Sequence, residues 1–165
     1  MTLQDELEDK GQWKKVTQQE LDQILERHAN FLGGQREGER MQLSMHDLSY
    51  LDMEGHDLSR AELTGAVLNH CNLEGAKMED AILFAADLRY TNMRDSVLNR
   101  ADLRGSCLAG ADISGATMND VDMRDGVLLR SPAEGGDLTP LVPEEAPAGM
   151  ENTKLKGADM TGAKV

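Results

Sequence analysis

From residue 41 to residue 130 the chain places an apolar side chain at every fifth position without a miss. The series runs Leu43, Leu48, Met53, Leu58, Leu63, Leu68, Leu73, Met78, Leu83, Leu88, Met93, Leu98, Leu103, Leu108, Ile113, Met118, Met123 and Leu128. A spacing of five fits neither the helical period of about 3.6 nor the strand period of about 2. The segment is therefore an internal repeat, eighteen copies of a five-residue unit. Two residues before each centre the side chain is usually small, as at Ala61, Ala66, Cys71, Ala76, Ala101 and Ala111. The residue just before the centre is often Asp or Asn, and the second residue after it is often Gly.

The flanks follow other rules. Thr17 with Glu20 three residues on forms a capping box. Leu21, Ile24, Leu25, His28 and Leu32 recur at helical spacing, and Gly33 and Gly34 supply a stop. Residues 1–40 thus predict a leader with a helix over 18–32, whose apolar stripe, with Trp13 and Phe31, caps the first turn of the array. Residues 41–130 are the array. Residues 131–152 hold all four prolines and read as a loop excursion, and the repeat resumes over 153–165. In the first turn the nominally small slots hold Met41, His46, Leu51 and His56, which predicts a wider or tilted start.

Units such as Ala101-Asp102-Leu103-Arg104-Gly105 and Ala111-Asp112-Ile113-Ser114-Gly115 resemble the pentapeptide-repeat family consensus. The stretch from Leu21 to Gly34 running into the array is similar to the leader of many proteobacterial members. The resemblance implies an all-β fold, a right-handed quadrilateral parallel β-helix of about five coils with an N-terminal α-helical cap. It implies four repeats per turn, with the centre and the small residue pointing inward. The expected core is then Leu63, Leu68, Leu73, Met78, Leu83, Leu88, Met93, Leu98, Leu103, Leu108, Ile113 and Met118. Coils would stack about 4.8 Å apart, making residues twenty apart neighbours. After the excursion, Leu155 and Met160 would complete the fifth coil and Val165 would begin a sixth.

Composition narrows the function. The 165 residues suit one domain with a core of its own, and the five aromatic residues are few for a sandwich or an α/β core. A net charge of −13 argues against direct nucleic-acid binding. No apolar run suggests a signal peptide or membrane span, so the expected location is cytoplasmic. Cys71 should point inward and Cys107 outward, so no disulfide between them is expected.

Grouping the outward residues by twenty separates four faces. One stacks Tyr50, His70, Tyr90 and Gly110, with Val67, Cys107, Val127 and Leu129 also outward. The next carries Ile82 and Phe84. The third is polar and glycine-rich. The fourth has the column Arg60, Asp80, Arg100, Asp120, read as a ladder of ion pairs. Apolar outward residues imply a cover or a partner. The excursion, with Leu138, Leu141 and Val142, accounts for Val127 and Leu129, while for Ile82 and Phe84 an internal cover and a partner site stay open.

Candidate chemistry is thin. His46, His56 and Cys71 at a capped end read as packing residues, since no carboxylate-backed ligand spacing accompanies them. No orienting acid or nucleophile accompanies His70, and the glycines follow the repeat with no phosphate-loop motif. The expectation is a non-enzymatic interaction or scaffold protein with no catalytic, cofactor or metal site, whose partner is another protein and whose oligomeric state is open. The alternative is a duplex-mimicking modulator of a type II topoisomerase (gyrase), as the resemblance to quinolone-resistance members implies. Eight of the fifteen acids in residues 41–130 occupy the slot before the centre, where the family consensus places Asp or Asn anyway. Outside that slot seven acids face seven bases, which weakens the mimic.

Overall fold

A computed structural model describes residues 13–124 and 153–164, with the backbone of Leu128–Leu129 and Pro140–Leu141. Each repeat closes a β-turn in which the small residue's N–H returns to the preceding centre's carbonyl, as in Ala61 to Leu58 and Ala66 to Leu63, both 3.0 Å. The third turn residue takes positive φ, 62° at Arg60 and 63° at Gly65. That conformation explains the frequent glycine there, because only glycine adopts it without strain.

Successive turns bend the chain until it meets itself twenty residues later. Parallel bridges join Gln42, Glu62, Ile82, Asp102 and Asp122 along a first wall, and Asp47, Val67, Asp87 and Cys107 along a second. Asp52, Asn72, Asn92 and Asp112 line a third wall, and Asp57, Lys77, Val97 and Thr117 a fourth. The spacing of twenty means that four repeats make one turn of this repeat solenoid. Each rung donates both ways: Leu63 N–H to Ile82 at 2.8 Å, and Glu62 N–H to Met41 at 2.9 Å.

The twelve centres from Leu63 to Met118 are all within 1% of full burial. The small inward residues pack between them, and polar ones bond within their own turn. The hydroxyls of Thr91, Ser96 and Ser106 donate to the carbonyls of Leu88, Met93 and Leu103 at 2.7 Å each. A short hydroxyl therefore substitutes for alanine without leaving a buried polar atom unsatisfied.

At the amino end, strand β1 (Lys14–Lys15) pairs in parallel with β2 (His46–Asp47) beneath the second wall. Helix α1 (Gln18–Leu32) follows and buries Leu21, Leu25 and His28. Its capping box is formed by Thr17 and Glu20. Leu21 and Leu25 join the array core in one continuous cluster with Met41 and Leu51. The expectation of large inward groups in the first coil holds for Met41 and Leu51, whereas His46 is half-buried and His56 is exposed. An apolar bore offers an imidazole no partner, so His56 stays in water.

At the other end Lys154 bridges Asp112, Asp159 bridges Thr117 and Lys164 bridges Asp122. The resumed repeats thus lie on walls three, four and one. Strands β3 (Leu128–Leu129) and β4 (Pro140–Leu141) pair antiparallel. The remainder of the excursion, and the side chains of Val127 and Leu129, lie outside the described residues.

Candidate protein-interaction surface

The corner between the second and third walls carries Tyr50, His70 and Tyr90 in successive coils, at φ 66°, 58° and 58°. Because the turn aims the third residue outward, the rings stack along the rod. Centroids are 4.7 Å apart for Tyr50–His70, with planes 10° apart, and 5.0 Å for His70–Tyr90, with planes 28° apart. Tyr50 is 71% and Tyr90 59% exposed. The column ends at Gly110, where an added Cβ would fall 2.5 Å from the Tyr90 ring. Glycine there lets Tyr90 lie across the next corner.

Other expected surface residues are less open. Ile82 and Phe84 are half-buried, and the Arg104 guanidinium lies 5.5 Å from the centre of the Phe84 ring. Val67 departs from its expected exposure, being only 3% exposed. It lies directly between its ladder partners Asp47 and Asp87, and a short β-branched side chain does not reach past them. Cys107 is half-buried. The column Arg60, Asp80, Arg100, Asp120 is not a continuous ion ladder. Arg100 grips Asp80 through two bonds of 2.9 Å, but Arg60 sits 4.8 Å over the Phe31 ring.

Three acids on the first and second walls are forked by arginines. Arg89 forks onto Asp87, Arg104 onto Asp102 and Arg124 onto Asp122, each with bonds of 2.7 to 2.9 Å. The bond from Arg124 holds the Asp122 carboxyl down to about 2, and Arg104 lowers Asp102 in the same way. The lower part of the third wall uses amides instead. Asn72 donates to Asp52 and Glu54 at 3.1 Å each, and Asn92 to Asn72 at 3.2 Å and Glu74 at 3.0 Å.

Cys71 points into the core, its thiol donating to the Leu48 carbonyl at 3.0 Å. Burial pushes its pKa up to about 12, so it is a poor thiolate ligand or nucleophile. His46 Nδ1 lies 2.8 Å from the Ser44 carbonyl. Neither histidine comes together with Cys71, and among the described residues no three His, Cys, Asp or Glu side chains are placed to hold a metal.

Comparison with known proteins places this geometry. A family model described as pentapeptide repeats matches eight copies, over residues 47–80 and 81–120. A solved pentapeptide repeat protein from Nostoc Pcc 7120 is 30% identical, with a TM-score of 0.51, over 66% of this chain and 84% of that one. The chain belongs to the pentapeptide-repeat family. A pentapeptide repeat protein from the Arabidopsis thaliana thylakoid lumen is 23% identical with a TM-score of 0.36, and the match covers 74% of this chain and 63% of that one. The plasmid-mediated fluoroquinolone resistance protein QnrB1 is 17% identical with a TM-score of 0.35, over 77% of this chain and 65% of that one. No curated protein matches the sequence.

Two features of this pentapeptide-repeat protein were not singled out from its sequence. His28 bridges helix and rod: Met41 N–H donates to Nδ1 at 2.9 Å, and Nε2 faces the Ser59 carbonyl at 3.0 Å. The one signal was a histidine inside an apolar stripe. Clefts also open where α1 crosses the first coil. One of about 400 Å³ is lined by Ile24, Arg27, Glu39, Arg40, Gln42 and Leu43. Another of about 340 Å³ is lined by Gln18, Asp22, Asp52, Glu54 and His56. Among the described residues no helix is long and apolar enough to cross a membrane.

Proposed function

We propose that this is a non-enzymatic, cytoplasmic interaction or scaffold protein, presenting the faces of a right-handed quadrilateral rod of about five coils. The observation that supports this reading best is the exposed column Tyr50–His70–Tyr90. Rings already held by stacking lose little conformational entropy on contact, and tyrosine is enriched among residues that dominate protein interfaces. Affinity capture with the full chain, followed by mass spectrometry and cross-linking, tests it. The expected result is a stoichiometric partner lost with Tyr50→Ala/Tyr90→Ala; a partner retained by that variant and lost with Ile82→Asp/Phe84→Asp moves the site to the first wall. No specific partner under any condition defeats the reading.

A second reading, modulation of a type II topoisomerase by duplex mimicry, draws on the net charge of −13. Arginines forked onto Asp87, Asp102 and Asp122 reduce the acidity of two walls. Inhibition of gyrase supercoiling at submicromolar protein would restore this reading.

A further inference from the structure

We infer that the aromatic corner, together with the lower part of the third wall, docks an extended partner segment bearing arginine or lysine side chains. This rests on the protein-interaction reading and names the partner's chemistry.

Among the described residues, carboxylates without a paired cation stand on the third wall and also on the fourth, where Glu79 takes the Asn99 amide at 3.5 Å, but those of the third wall flank the aromatic corner. Asp80, Asp87, Asp102, Asp112 and Asp122 each lie within ion-pair distance of an arginine. Beside the aromatic corner the carboxylates meet neutral amides. Asp52 and Glu54 share the Asn72 amide, Glu74 takes that of Asn92, and Asp22 takes that of Gln18 at 2.9 Å. Among the described residues no cation pairs with these four. An amide satisfies a carboxylate's hydrogen bond and leaves its charge in place. Asp22, Asp52 and Glu54 also converge on the 340 Å³ cleft between α1 and the wall.

The rings stand beside this charge, Tyr50 two residues before Asp52 in the same turn. Neighbouring carboxylates and an exposed ring suit a guanidinium, which forks onto carboxylates and packs on aromatic surfaces. The patch is bounded. One coil above Glu74 the same slot holds Arg94, which pairs with Asp112 at 3.7 Å, and Lys154 follows on the same wall. The negative surface therefore spans about two coils, roughly 10 Å along the rod, which suits two or three residues of an extended segment. The same charge repels a nucleic acid backbone.

The probe is a fluorescein-labelled twelve-residue Arg-Ser repeat peptide, titrated into the full chain by fluorescence anisotropy. Binding should weaken with added salt and fall about tenfold or more in Glu54→Gln/Glu74→Gln, which removes two charge-assisted contacts. Tyr50→Leu/Tyr90→Leu should weaken it about threefold or more. Glu79→Gln/Asp120→Asn removes equal charge from the fourth wall and its corner, and should leave binding within about twofold. Circular dichroism verifies that each variant is folded. Equal losses in both charge variants, wild-type binding by the tyrosine variant, or binding of a short DNA duplex would overturn the inference. A captured cellular partner that still binds Glu54→Gln/Glu74→Gln would also sink it while leaving the interaction reading intact.

Discussion

His28 ties the capping helix to the rod through both ring nitrogens. Because Met41 N–H donates to Nδ1, Nδ1 is unprotonated and Nε2 carries the hydrogen facing the Ser59 carbonyl. Burial lowers its basicity below the ordinary value of 6.5, and protonating Nδ1 would break the Met41 bond. The unfolded chain therefore binds a proton at higher pH than the folded one. The stability His28 contributes is complete above pH of about 6.5 and is lost as pH falls below it. The thermal midpoint should drop between pH 7 and pH 5, and the drop should shrink in His28→Gln; an equal drop in both would assign it to other groups. Cys71 gives a second residue-scale expectation. In Cys107→Ser, a thiol reagent at pH 8 should leave the native protein unlabelled and react on denaturation. Fast native labelling would contradict the inward placement.

Helix α1 is the element most directly written in local sequence. Thr17 accepts from Glu20 N–H at 3.2 Å while the Glu20 carboxylate accepts from Thr17 N–H at 2.9 Å. A capping box needs only these two residues at a spacing of three, so it is legible without knowledge of the fold. Thr17→Ala should cost about 1 kcal/mol in denaturant unfolding, and a change below about 0.3 kcal/mol would mean that docking on the rod holds the helix without its cap. Strand β1 was not legible in this way. Lys14 and Lys15 carry no strand pattern, and they pair because the helix places them beside His46 and Asp47.

A solenoid distributes stability by neighbour count, since each coil contacts only the coils above and below. Leu83 and Leu88 belong to a coil bonded on both sides. The resumed segment is bonded toward Ala111, Ala116 and Val121, with Leu155 44% exposed. Hydrogen exchange should be slowest at Leu83 and Leu88, and about tenfold or more faster at Lys154, Asp159 and Lys164. Uniform protection would mean that the rod opens as one unit. The five-residue period, its apolar centres and the capping box follow from the amino-acid sequence alone, because they depend on residues close together along the chain. The tertiary structure alone decided what depends on closure between distant residues. That includes Lys154 over Asp112 across forty-two positions, the burial of Val67, and the helix clip at His28. It also includes the contacts that cross from one coil to the next, Arg100 on Asp80, Arg94 on Asp112, and the Asn72 and Asn92 amides on Asp52, Glu54 and Glu74. Local pattern sets which way a side chain faces and supplies partners within the repeat, such as Arg104 for Asp102, while partners across coils are set by the coil that stacks against it.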